Sequence, residues 1–143
     1  MELSDKIKFR EEMKSRLRQF VLDLIKLCQK LPRTDEANII KNQLLRSGSS
    51  VYANYRAANC ARSKAEFFSK LSIVVEEADE TEMWLDILIF SEISNTPETV
   101  RLHKESLEIL KIMASARKNT YIMKSEISPS INQSISPSIN QSL

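Results

Sequence analysis

One glycine, one histidine, one tryptophan and two cysteines among 143 residues leave little material for several kinds of chemistry. A single glycine cannot build a phosphate-cradling glycine-rich loop, and no G-x-S-x-G nucleophile elbow is present. Cys28 and Cys60, with no second cluster of ligands, do not make a structural zinc site and read as free, packed thiols. The only histidine, His103, is preceded three residues earlier by Val100. The Glu-x-x-His pattern of a di-iron or di-manganese bundle is therefore not met, and His103 reads as a core or boundary residue. No stretch of about 18 apolar residues exists, so no transmembrane helix is expected. The opening segment MELSDKIKFREEMK lacks the apolar heart of a signal peptide, which predicts a cytoplasmic protein. No catalytic residue, metal or cofactor is expected, and the protein is not predicted to be an enzyme.

What the chain has is helical periodicity. With 42% apolar and 28% charged residues it has the make-up of a mostly helical soluble domain. Met13, Leu17, Phe20, Val21, Leu24, Cys28 and Leu31 recur at steps of three and four, which predicts a helix over about 5–31, capped by Ser4 or Asp5. The segment LPRTDE breaks it, because the residue before Pro32 is pushed out of helical geometry, and Thr34 or Asp35 can cap the next helix. That helix, over about 36–61, carries Ile40, Leu44, Val51, Tyr55 and Ala58. Ser63 and Glu66 in SKAE form a capping box for a third helix over about 64–93, striped by Phe67, Leu71, Val74, Ala78, Thr81, Leu85 and Leu88. Thr96 and Pro97 open a fourth over about 97–123, with Val100, His103, Leu107, Leu110, Ala114 and Tyr121 on one face. Four long helices on short loops predict an all-α, up-down-up-down four-helix bundle over residues 1–123. Residues 124–143 hold the octapeptide ISPSINQS twice in succession, uncharged and proline-interrupted, and read as a disordered tail.

Charge is unevenly spread. Residues 1–33 carry nine basic and five acidic side chains, residues 37–65 five basic and none acidic, and residues 66–92 eight acidic against Lys70 alone. The acidic run EEADETE, Glu76 to Glu82, reads as a solvated or subunit-facing strip. In RSGSSVYANYRAANCARSKAEF, Arg46 to Phe67, small residues at Ser47, Gly48, Ser49, Ser50 and Ala53 would let another helix approach closely. Arg46, Arg56 and Arg62, with Tyr52 and Tyr55 between them, suit phosphate contacts and base stacking. They suit ion pairs to the acidic helix equally well. The candidate nucleic-acid-binding set is Lys41, Arg46, Arg56, Arg62 and Lys64, supported by Lys14, Arg16 and Arg18. The third helix is also apolar outside its main stripe, and a helix apolar around most of its circumference needs more than one neighbour. Phe68, Val75, Met83, Trp84 and Ile87 are accordingly candidate oligomer-interface residues, although packing within one copy accounts for Met83 and Trp84 as well.

The stretch QLLRSGSSVYANYRAANCARSKAEFFSKLSIVVEEADETEMWLDIL (43–88) closely resembles a four-helix-bundle family named for proteins encoded in intervening sequences of 23S rRNA genes. The resemblance rests on Gln43, Leu44, Arg46, Ser50 and Asn54, then Ser63, Phe67, Lys70 and Leu71, then Glu77, Glu80 and Leu85, and covers about residues 5–123. It implies an up-down bundle that assembles into a ring, typically a homopentamer. It also implies kinship with the accessory variability proteins of diversity-generating retroelements, basic pentamers associated with nucleic acid and a reverse transcriptase. RNA or DNA, a reverse transcriptase and further copies of the chain are thus the partners the resemblance suggests, with no membrane among them. A protein-interaction scaffold, whose charged faces serve only subunit assembly, is the competing expectation.

Overall fold

The computed structural model describes residues 2–127, with side chains through Tyr121. It contains α1 (Leu3–Gln29), α2 (Asp35–Asn59), α3 (Lys64–Phe90) and α4 (Pro97–Ile127), with no strand among the described residues. The helix starts follow hydroxyl chemistry. Thr34 Oγ1 accepts from the Ala37 amide at 3.3 Å, Ser63 Oγ from Glu66 at 3.1 Å and Thr96 Oγ1 from Thr99 at 3.2 Å. Each satisfies an amide that the first helical turn leaves without a partner. Glu66 reaches back in turn to accept from the Arg62 amide at 2.9 Å. At α1 the expectation fails: Ser4 and Asp5 lie inside the helix, and Glu2 precedes it without a side-chain cap. The α3–α4 turn places Glu92 in the left-handed region at φ 63°, one residue past the Ser91 cap, where glycine is usual. The tail expected over 124–143 lies, from residue 128 onward, outside the described residues, and α4 runs to Ile127 rather than stopping at 123.

The helices form a bundle in which each packs on the next in chain order and α4 also meets α1, the backbones of the diagonal pairs standing further apart. Four leucines of α2 and α3, Leu44, Leu71, Leu85 and Leu88, are wholly buried, as are Leu24 of α1 and Leu102 of α4. The stripes expected for α2 and α3 are the ones buried, with Phe67 at the edge. On α4 the buried face is different. Thr99, Leu102, Ser106, Ile109 and Met113 point inward, whereas Val100, His103, Leu107 and Leu110 are only partly covered and Ala114 and Tyr121 are exposed. The true stripe is turned by about one residue, because two of its members are hydroxyl residues that look polar in sequence. Their hydroxyls are satisfied locally: Ser106 donates to the His103 carbonyl at 2.6 Å, and Thr99 bonds Ser94 and Thr96 at 2.7 and 3.0 Å. A bonded hydroxyl can be buried at little cost.

At Gly48 a side chain of the neighbouring α1 presses directly on the α2 backbone. A Cβ there would stand 2.4 Å from Leu24 Cδ1 of α1 and 3.8 Å from Thr81 of α3. Beside it the buried Ser47 accepts a 3.0 Å hydrogen bond from Thr81. The small-residue patch therefore serves packing of α2 between α1 and α3. The α1–α4 contact is the sparsest of the four. It is bridged by two ion pairs, Arg16–Glu105 at 2.5 Å and Arg101–Asp23 at 3.0 Å.

The thiols differ in a way open to test. Cys28 is buried and Cys60, just past α2, is exposed, so only the first fits the packed-thiol expectation. Burial pushes the Cys28 thiol up to about 11, against the opposing charge of Lys41. At pH 8 about one Cys28 in a thousand is then a thiolate, the form that reacts. Ellman's reagent is expected to titrate one thiol per folded chain at that pH and two in guanidinium; two fast thiols in the folded protein would contradict the packing of Cys28.

Candidate nucleic-acid interface

The eight basic candidates separate into groups with different fates. Arg46 and Arg16 are engaged within the chain. Arg46 of α2 reaches two carboxylates of α3, Glu77 at 3.3 Å and Glu80, and donates through Nε to Gln43. Arg16 of α1 grips Glu105 of α4 through Nε at 2.9 Å and Nη2 at 2.5 Å, and that hydrogen bond raises its pKa. A two-pronged pair of this kind fixes geometry as well as charge. Arg46 thus takes part of the acidic strip that faces it, as one of the two expectations for this segment had it.

Lys14, Arg18 and Arg56 instead converge on Tyr52. Arg18 donates from Nε to the Tyr52 hydroxyl at 3.3 Å, and the Arg56 guanidinium carbon lies 5.6 Å from the ring centroid. The Tyr52 pKa is lowered, first by the Arg18 hydrogen bond and then by the charges of Arg18, Arg56 and Lys14. One carboxylate, Glu11, meets Lys14 at 3.2 Å on the exposed surface, where such a pair is worth about 0–1 kcal/mol. No acid from another helix neutralises the group among the described residues. Arg62 and Lys64 lie elsewhere, on the rim of a cavity of about 550 Å³ whose floor includes Phe9, Tyr55, Phe67 and Leu71. The Asn59 amide nitrogen is buried in this lining without a hydrogen-bond partner. Lys41 stands apart from both groups, its charge felt by the buried Cys28 thiol.

Two residues absent from the sequence-derived set connect these groups. Lys6 and Arg10 also line the cavity. With Lys14 and Arg18 they recur every fourth residue along α1, about 6 Å per step and about 18 Å in all. The row runs from the cavity rim to Tyr52. Its spacing was legible in the sequence, but the surrounding acids Glu11 and Glu12 masked it in the segment's net charge. Cations in line along one helix are equipped to hold successive phosphates, while the Tyr52 ring, packed against the core and covered by Arg56, orients them.

The candidate oligomer residues are also sorted. Val75, Trp84 and Ile87 pack on the bundle's own core, and Phe68 lies 5.8 Å from the Tyr121 ring with Arg117 5.3 Å above its face. Met83 stays 39% exposed, and larger apolar exposure occurs at Phe90, Leu3 and Ile39. Among the described residues, no helix is long and apolar enough to cross a membrane.

These features define a small all-α bundle protein with one cationic, tyrosine-centred face. The chain belongs to the 23S rRNA-intervening sequence protein family, whose model matches residues 11–115. It is similar to a solved protein of unknown function from the S23 ribosomal protein family of Bacteroides thetaiotaomicron. The two are 35% identical, the match covers 73% of this chain and 97% of that one, and the TM-score is 0.68. No curated protein matches this chain.

Proposed function

We propose that this protein is a non-enzymatic, cytoplasmic accessory protein that binds the phosphates of RNA or DNA through the α1–α2 face. The observation that carries the reading is the gathering of the Lys14, Arg18 and Arg56 charges around Tyr52 with no acid from a neighbouring helix among the described residues. The row continuing through Arg10 and Lys6 to Arg62 and Lys64 lengthens the track. The reading includes an up-down-up-down chain path, supported by paired contacts such as Arg18–Tyr52 and His103–Glu82 across short connections. It also includes assembly into a ring of identical subunits, five by family resemblance, supported by the exposure of Phe90, Leu3, Ile39 and Met83. A reverse transcriptase as partner rests on that resemblance. The competing reading, a protein-interaction scaffold, draws on Arg16, Arg46 and Arg101 being spent inside the chain.

The test is titration of structured RNA and duplex DNA at several salt concentrations. Phosphate contact predicts that log K falls linearly with log salt at a slope of about −0.9 per contact on duplex DNA. A flat salt response, or no binding at low salt to either nucleic acid, leaves the scaffold reading standing.

A further inference from the structure

On the seam opposite the cationic face, α3 and α4 bring together three potential ligands that are scattered in the sequence. Glu82 and Asp86 sit one turn apart on α3, and His103 reaches them from α4. His103 Nε2 lies 2.8 Å from Glu82 Oε1 and 4.0 Å from Asp86 Oδ1, and one ligand atom from each residue falls within 4.8 Å of the others. We infer that Glu82, Asp86 and His103 form a three-ligand site for a single divalent transition-metal ion of the zinc class.

The chemistry of the donor set selects the ion. One imidazole nitrogen with two carboxylates suits zinc, cobalt or nickel, whereas magnesium and calcium prefer oxygen alone. Metal–nitrogen and metal–oxygen bonds of about 2.0–2.2 Å set donors around one ion roughly 3 Å apart. The Glu82–His103 separation already meets that spacing, and turning the Asp86 carboxylate inward closes the remainder. The side chains of His103 and Glu82 are 19% and 23% exposed and that of Asp86 45%, so two ligands are held by packing while the third opens the site to solvent. Positions left on the ion would be filled by water.

The local charge also points to a cation. Glu77 and Glu80 have Arg46 as a counter-ion, but among the described residues neither Glu82 nor Asp86 pairs with Lys or Arg. Both belong to a segment with eight acids against one base. The ligands come two from α3 and one from α4, with 21 positions separating Glu82 from His103, so no short sequence motif joins them.

Cobalt and zinc titrations of the full chain test the site. The expected result is one ion per chain, a cobalt visible spectrum of nitrogen and oxygen ligation without a thiolate charge-transfer band, and displacement of cobalt by zinc but not by magnesium. His103→Gln and the pair Glu82→Gln with Asp86→Asn are each expected to weaken zinc binding by about 100-fold or more, since even outer-shell partners are worth about 10- to 100-fold. Far-ultraviolet circular dichroism checks that each variant is folded. Equal zinc affinity in wild type and both variants overturns the proposal. So does a thiolate band, which would assign the metal to Cys60, or no binding at all in the wild-type protein, a readout that needs no variant. None of these results depends on nucleic-acid binding.

Discussion

Changing Lys14, Arg18 and Arg56 together to glutamate is expected to weaken binding of duplex DNA or structured RNA by about 100-fold at low salt and to reduce the duplex salt slope by about 3. The size follows from what surrounds the three cations. Arg56 lies over the Tyr52 ring, Arg18 meets its hydroxyl and Lys14 adds its charge, and among the described residues none of the three pairs with a carboxylate of another helix, so their field is directed outward. Reversal replaces three counterion-releasing contacts with three repulsions and breaks no interhelical pair between opposite charges. The thermal midpoint should therefore move little. Arg16→Glu with Arg46→Glu, the same kind of change at cations paired to Glu105, Glu77 and Glu80, should do the opposite. It leaves unpaired carboxylates on the α1–α4 and α2–α3 seams, lowers stability and leaves the salt slope nearly as it was. An unchanged slope in the triple variant, or loss of binding in the double variant alone, would place the interface elsewhere.

Gly48→Leu is expected to lower stability by about 3 kcal/mol or more and the thermal midpoint by about 10 °C or more. The position has no room: its Cβ would meet Leu24 Cδ1 at 2.4 Å, and Leu24 is itself fully buried. Moving Leu24 displaces the leucines around it, and cores at crystal-like density resist such shifts. Against a total stability of about 5–15 kcal/mol this is a large fraction. Gly48→Ala provides the graded comparison. It gains about 1 kcal/mol of helix propensity and loses a similar amount or more to the same contact, so its net effect is small and unfavourable. Urea midpoints for both variants check the pair. A leucine tolerated at Gly48 would mean that α1 and α2 are further apart than described.

The stripes of α2 and α3 were readable because their buried positions are overwhelmingly apolar, and Thr34, Ser63 and Thr96 announced their helices through hydroxyl caps. The face of α4 was misread because Thr99 and Ser106 hide their polarity through hydrogen bonds that only the folded chain supplies. The start of α1 offered no capping hydroxyl in use, so Ser4 and Asp5 misled. For the site, composition identified the cations but could not divide them. Whether Arg46 faces Glu77 or solvent depends on how α2 and α3 are rotated against each other, a property of the assembled bundle.

Because α1 meets α4 sparsely and across two charge pairs, that seam is one that dissolved salt can loosen, while the apolar packing of α1 on α2 is not. The same ions that would compete with a polyanion for Lys14 and Arg18 also slacken the helix bearing them. Rigidity and grip on this edge are coupled to a single solution variable and fade together.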